Sequence, residues 1–206
     1  MAPLHPIAVL ISGGGTTLKN LIQQRDLGLL HVDFRIVISS KPDVAGLTIA
    51  KDASISTLVV GKARSQNAVE HSNRVFGPIR ESGAQIVLMG GYLQHVLIPK
   101  DFENRVINIH PSLIPAFCGQ GMYGLKVHQA AIDFGVKISG CTVHFVDNEY
   151  DHGPILVQRA CEVYEDDTAE TLMRRVFELE CLALPDAIRL IAAKTLGSGV
   201  VTKVTA

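Results

Sequence analysis

Short apolar runs rich in β-branched residues alternate along this chain with amphipathic stretches, and that alternation restricts the fold more than any other feature. Ile7–Ile11, Phe34–Ser39, Ser56–Val60, Gln85–Met89 and Arg105–Ile109 read as strands. Thr16–Arg25, Val44–Ser54 and Asn67–Ser82 between them read as helices. In Thr16–Arg25, Leu18, Leu21 and Ile22 share one face, as a helix laid on a sheet requires. A strand–helix–strand rhythm of this kind predicts an α/β fold: an open, mostly parallel twisted sheet with helices on both faces.

The rhythm changes after Ile109. Residues 110–126 hold Pro, Gly, Cys and Gln without period and predict a long loop; structureless stretches of that length in a compact domain are usually functional. Val127–Phe134 reads as a short helix. Ser139–Val146 and Pro154–Val163 read as two strands joined by 147–153, too few residues for a parallel crossover, so this pair must be antiparallel. Thr168–Ala193 reads as the last helix, with Thr168 at its N-cap and a kink expected at Pro185. Residues 1–194 are expected to form a single domain, with 195–206 a loosely held tail.

The 206 residues are 47% hydrophobic and 19% charged, which excludes intrinsic disorder. The 19 Lys and Arg against 20 Asp and Glu argue against a general nucleic-acid binder. No apolar run approaches the ~18–20 residues that span a bilayer. Cys118, Cys141, Cys161 and Cys181 are widely spaced with no CxxC pair, which suits reduced, mostly buried thiols in a cytoplasmic protein.

Three motifs could carry chemistry. Ser12-Gly13-Gly14-Gly15-Thr16-Thr17 follows the first strand and opens the first helix. Its glycines allow close backbone approach, and free N–H groups at a helix start attract an anion. The spacing is not GxGxxG, and Ser39-Ser40-Lys41 ends the second strand where a ribose-binding acid would stand, so a phosphomonoester fits better than a dinucleotide. Asn108-Ile109-His110-Pro111-Ser112 ends the fifth strand. Alternation puts Asn108 and His110 on one side, where an amide and an imidazole suit oxyanion stabilisation and proton movement. Asp151-His152-Gly153-Pro154 closes the last hairpin loop, and its carboxylate could orient His110 and raise its pKa; ordinary turn chemistry would use the same residues. His110, His144, His152 and Asp151 have no metal-ligand spacing, so no metal is expected, and Ser112 lacks a nucleophile elbow. Glu178 and Glu180 read first as a solvated helix face, with one of them able to hold ribose hydroxyls.

Together, Leu10 to Gly15, Val87 to Tyr92, Val106 to Pro115, Gly140 to Val146 and Tyr150 to Pro154 resemble the folate-dependent formyltransferases, over nearly the whole chain from Ile7 to Ala193. The length and the early glycine loop favour the branch acting on phosphoribosylglycinamide. The resemblance implies a Rossmann-like formyltransferase fold. It implies transfer of the formyl group of 10-formyltetrahydrofolate, the co-substrate, to the glycyl amine of 5-phosphoribosylglycinamide in purine (IMP) biosynthesis, without a metal. By the same resemblance Asn108, His110 and Asp151 are catalytic, with Asn108 and a protonated His110 stabilising the tetrahedral oxyanion. Gly15, Thr16 and Thr17 hold the phosphate and Glu180 the ribose. Leu93, Gln94, His95 and Val96, with Asp147, Asn148, Glu149 and Tyr150, line the folate pocket. Three positions depart from the family: Thr17 stands where it often has Asn, Gln94 where some members have Arg, and Gln66 in place of another Arg. The 117–124 stretch is longer than in compact members and is expected to reshape the site entrance. The expected partners are these two small molecules, with no nucleic acid or membrane, in a monomer or homodimer.

Overall fold

The computed structural model describes residues 4–63 and 67–198. Seven strands, β1 (His5–Ile11), β2 (Val32–Ser39), β3 (Thr57–Val59), β4 (Ile86–Met89), β5 (Val106–His110), β6 (Ile138–Phe145) and β7 (Ile155–Glu162), follow the order β3-β2-β1-β4-β5-β6-β7 in one sheet. The helices are α1 (Thr16–Asp26), α2 (Ala45–Asp52), α3 (Ala68–Glu81), α4 (Leu125–Phe134) and α5 (Ala169–Ser198), with a single 3-10 turn at Lys100–Phe102. The chain divides between Ile107 and Asn108 into two compact units.

In the first unit β1 is the centre. It pairs in parallel with β2, from His5 opposite Val32 to Ile11 opposite Ser39, and with β4, from Ile7 opposite Ile86 to Leu10 opposite Met89. β3 adds in parallel to β2. Ile7 to Ile11 are fully buried, because a central parallel strand has a layer on both faces. Leu18 and Leu21 of α1 are buried with them, as the sequence periodicity requires. In α3, Asn67 caps the first turn: its side chain accepts from the Glu70 N–H at 2.8 Å while the Glu70 carboxylate takes the Asn67 N–H, a reciprocal capping box. Phe76 of that helix meets Phe102 with ring centroids 5.1 Å apart.

In the second unit β6 and β7 are antiparallel, Ile138 facing Glu162 and Val143 facing Val157. α5 covers them with Leu172, Val176, Leu184, Ala187 and Ile188, all buried. Thr168 caps α5 as expected. Its hydroxyl accepts from the Thr171 N–H at 3.3 Å, and the Thr171 hydroxyl accepts from the Thr168 N–H at 2.9 Å.

Several boundaries differ from the sequence reading. α4 begins at Leu125, not Val127, with Gly124 at its N-cap. α5 runs on to Ser198, so the helix enters the expected tail. Residues 199–206 of that tail and Gln66 lie outside the described residues. None of the four cysteines is in a disulfide, and of the four only Cys141 is buried.

Candidate active site

In the first unit, the turn after β1 places Gly15 at the N-cap of α1 with φ +72, a left-handed conformation that favours glycine. Space adds a second restriction, since a Cβ there would lie 2.5 Å from the Gly46 Cα. The Gly46 N–H donates to the Gly13 carbonyl at 3.2 Å, which ties the start of α2 to the loop. No side chain caps α1, so its first N–H groups are left to a ligand or water. Thr16 is exposed and Thr17 half-buried beside Gly90. The expected phosphate residues Gly15, Thr16 and Thr17 thus share one helix start.

Ser12 connects that loop to the segment after β4. Its hydroxyl pairs with Ser40 at 2.5 Å and accepts from the Leu93 N–H at 2.9 Å. Of the expected folate residues in this segment, Leu93 is exposed and Val96 buried. The Gln94 Oε1 and the Tyr92 hydroxyl are both buried without a partner, and burial pushes the Tyr92 phenol up to about 12. Two unpaired buried polar atoms so close in sequence fit a polar ligand.

In the second unit, β5 delivers Asn108 and His110, β6 delivers His144, and the loop before β7 delivers Asp151. The His110 Nδ1 lies 3.5 Å from the Asp151 Oδ2. The Asn108 Nδ2 lies 3.2 Å from the His144 Nε2 and 3.5 Å from the Asp151 Oδ1. The three residues expected to be catalytic are therefore brought together, and His144 joins them. Asp151 has φ +52, a left-handed backbone in a non-glycine residue. Such strain persists only where surroundings over-determine it, and functional sites are where it concentrates. Gly153, two residues further on, admits no side chain, since a Cβ would run into the Phe145 carbonyl.

His144 is not among the residues that the sequence pointed to as catalytic. Its Nδ1 lies 2.8 Å from the Phe145 carbonyl, an acceptor, so the proton sits on Nδ1 and Nε2 offers a lone pair to Asn108. The signal available in the sequence was strand alternation, which points His144 and Thr142 the same way, toward the residues that follow His110. Thr142 indeed donates to the Ser112 carbonyl at 2.7 Å and accepts from the Ile114 N–H at 3.1 Å.

The long loop is not loose. Ser112 donates to the Ala116 carbonyl at 2.6 Å, and Gln158 donates to the Ile114 carbonyl at 3.1 Å. The loop also reaches His110 and Asp151. The His110 Nε2 lies 2.9 Å from the Phe117 carbonyl, and the Gly119 N–H donates to the Asp151 Oδ2 at 2.9 Å.

These contacts set the direction in which His110 is shifted. Burial pushes its imidazole down, Asp151 and the Phe117 carbonyl pull it back only in part, and His144 adds to the lowering. The ring is thus held below the ordinary histidine value, not above it, and is neutral at neutral pH. Burial pushes the Asp151 carboxyl up, but His144, the His110 charge and the Gly119 N–H outweigh it, and the group lies below the usual carboxylate range. His128 of α4 is buried behind, pushed down to about 4 by desolvation and by His110.

The remaining expected residues lie on the loop before β7 and on α5. Asp147 accepts from the Glu149 N–H and lies 2.8 Å from the His152 Nδ1, which closes the loop on itself; Asn148, Glu149 and Tyr150 are exposed. Glu178 is exposed, but Glu180 is not the solvated residue the helix pattern suggested: burial raises its carboxyl to about 7. Among the described residues no group of three or more His, Cys, Asp or Glu is placed to hold a metal ion, and no helix is long and apolar enough to cross a membrane.

The Formyl transferase family matches residues 5–188. This chain belongs to that family. It is 39% identical over 178 residues to a cowpea (Vigna unguiculata) protein named phosphoribosylglycinamide formyltransferase, chloroplastic, with 84% of this chain and 56% of that protein covered. The Haemophilus influenzae phosphoribosylglycinamide formyltransferase is 34% identical, with 90% and 86% covered. Among solved structures, glycinamide ribonucleotide transformylase 1 from Symbiobacterium toebii superposes with a TM-score of 0.86 at 37% identity, covering 93% of this chain and 89% of that one. The chain spans 56% and 61% of the two plant relatives it matches. The family match and the sheet order together bear out the expected fold class: a mostly parallel sheet, an antiparallel pair at its end, and the formyltransferase architecture.

Proposed function

We propose that this formyltransferase family member moves the formyl group of 10-formyltetrahydrofolate to the glycyl amine of 5-phosphoribosylglycinamide, a step of purine biosynthesis. The observation that carries the reading is the convergence of Asn108, His110, His144 and Asp151 in a family of formyl transferases.

The chain's residues divide the work. The free N–H groups of the α1 start, with Thr16 and Thr17, hold the phosphate, and Glu180 holds the ribose. Leu93 to Val96 and 147–150 take the folate, with the Gln94 Oε1 accepting a ligand N–H. Phosphate binding positions the amine, which attacks the formyl carbon. Asn108 keeps one N–H on His144 and turns the other, held only by the 3.5 Å contact to Asp151, to the tetrahedral oxyanion. His110, neutral at rest, takes the proton the amine releases, and Asp151 stabilises the imidazolium that forms. That proton passes to the departing folate nitrogen as the carbon–nitrogen bond breaks.

The two units serve as one catalytic domain over residues 1–194. The reaction uses no metal, and the protein works in the cytoplasm as a monomer or homodimer, although plant relatives are named chloroplastic.

The test is to incubate the pure protein with 10-formyltetrahydrofolate, with and without the ribonucleotide, and follow formyl loss by absorbance. Acceptor-dependent loss with formylated ribonucleotide as product supports the reading. Loss without acceptor indicates a hydrolase, and no loss in either case points to another amine.

A further inference from the structure

The strap that follows β5 carries more than the entrance to the site. We propose that Gly119 is a positioning residue for formyl transfer: its backbone N–H, presented by a left-handed turn, fixes the Asp151 carboxylate against His110. The proposal rests on the reading of Asp151 as part of the transfer machinery, and one arm of its test does not.

The argument begins with what Asp151 can bond. A carboxylate oxygen accepts only, and the Asp151 Oδ2 has two neighbours, the His110 Nδ1 at 3.5 Å and the Gly119 N–H at 2.9 Å. The shorter bond is from the backbone. Its direction is fixed by the peptide plane, so it sets where Oδ2 sits whether or not His110 carries a proton. The other groups facing Asp151 are the His144 ring from β6, the Asn108 amide from β5 and the Cys118 thiol of the strap itself. None of these is a full positive charge while the two rings are neutral. The Gly119 N–H at 2.9 Å is thus the shorter of two donors, the other being Asn108 at 3.5 Å, that favour the ionised carboxyl independently of the histidines.

The strap is built to hold that donor. Gly119 has φ +94, a conformation that side-chain-bearing residues rarely adopt, and nothing lies within 4 Å of where its Cβ would be. Glycine is therefore needed at this position for its backbone and not for room. Phe117, two residues earlier, is also left-handed at φ +50, and its carbonyl meets the His110 Nε2 at 2.9 Å. One short segment thus reaches both members of the pair, giving an acceptor to His110 and a donor to Asp151. Ser112 secures the segment from behind by donating to the Ala116 carbonyl at 2.6 Å. Gly121 supplies the internal control, being left-handed at φ +89 and also open to a methyl group, while the donor to Asp151 is Gly119.

Two measurements test this. In the first, the amide proton of Gly119 is compared between the wild-type protein and Asp151→Asn at neutral pH by nitrogen-15 NMR. Replacing a carboxylate acceptor with a neutral amide weakens the bond, so the Gly119 signal is expected to move upfield by more than the Gly121 signal. A Gly119 signal that moves no more than Gly121 overturns the proposal, whatever reaction the protein catalyses. In the second, the pH profile of kcat/KM is taken for Gly119→Ala and Gly121→Ala. Gly119→Ala is expected to move the acidic limb down by about half a pH unit, toward that of Asp151→Asn, because the carboxylate that pulls His110 up is no longer held against it, and to lower kcat roughly tenfold, with Gly121→Ala unchanged in the limb. An unmoved limb in folded Gly119→Ala, or an equal movement in Gly121→Ala, overturns it. If Gly119→Ala does not fold, the NMR comparison decides alone.

Discussion

Asn108 gives a side-chain N–H to the Nε2 of His144, 3.2 Å away, and the Phe145 carbonyl fixes the tautomer that makes this possible. The amide of Asn108 therefore has one orientation, with its oxygen turned from Asp151 and its nitrogen toward it. A neutral amide left free to flip would present an acceptor to the oxyanion half the time. His144→Ala is expected to lower kcat by about 10–100-fold, the cost of a displaced oxyanion donor, while KM for both substrates changes little. His144→Gln, whose side-chain oxygen can accept from Asn108, recovers part of the loss. Steady-state kinetics of the two variants decide it: equal kcat in Ala and wild type removes His144 from the site.

The pH dependence follows from the directions of the two shifts. His110 is held below 6.5 mainly by burial, so it becomes neutral, the form that accepts a proton from the amine, before pH 6.5 is reached on the way up. Asp151 is ionised throughout that range. The kcat/KM profile should rise with pH and reach its plateau with a midpoint below 6.5. The residual activity of Asp151→Asn should have a lower midpoint still, because the anion that pulls His110 up is gone. A wild-type midpoint above 6.5 contradicts this account.

At the start of α1, sterics and chemistry can be separated. Gly15→Ala places a methyl group against the Gly46 backbone and forces a left-handed alanine, so it is expected to destabilise the fold by about 2–4 kcal/mol in denaturant titrations. Replacing Thr16 and Thr17 with Val leaves the backbone N–H groups in place. That double variant should raise KM for the phosphorylated acceptor more than for the folate. Equal changes in both constants would remove the phosphate assignment.

The first unit was legible in the sequence because its signals are local. Runs such as Ile7–Ile11 are apolar at every position since both faces are covered, and Gly15 falls where strand turns to helix. Asn108 and His110 were legible for the same reason, being two apart on one strand. His144 was not, because its importance comes from a tautomer set by its own neighbour's carbonyl and a partner 36 residues away. The direction of the His110 shift was only half legible, because a carboxylate partner is visible in sequence and desolvation is not. The Phe117 and Gly119 backbone contacts were hidden for a related reason: main-chain atoms carry no side-chain signature, and only the excess of glycine from 119 to 124 hinted at an unusual path. Pro185 lies within α5, which continues through it over the β6 and β7 surface, where Leu184, Ala187 and Ile188 are buried.

Glu180 offers a prediction in which stability and binding move in opposite directions. Its carboxyl is raised to about 7 by burial, against 4.5 for an ordinary glutamate. A group raised in the folded state contributes stability that is fully present below its unfolded value and is lost as pH rises through the folded one. The folded protein should therefore weaken between about pH 4.5 and 7, as the unfolded chain ionises first. Glu180→Gln keeps the shape and cannot ionise, so it should be more stable than wild type above pH 7, by about 1–2 kcal/mol. The same variant loses the carboxylate proposed to hold the ribose hydroxyls, so KM for the ribonucleotide should rise about tenfold while KM for the folate stays. Thermal melts at pH 5 and pH 8 paired with both KM values test the two halves together. A stability gain with unchanged KM would leave Glu180 a buried structural acid and move the ribose elsewhere. No stability gain at pH 8 would show that its carboxyl ionises at an ordinary pH.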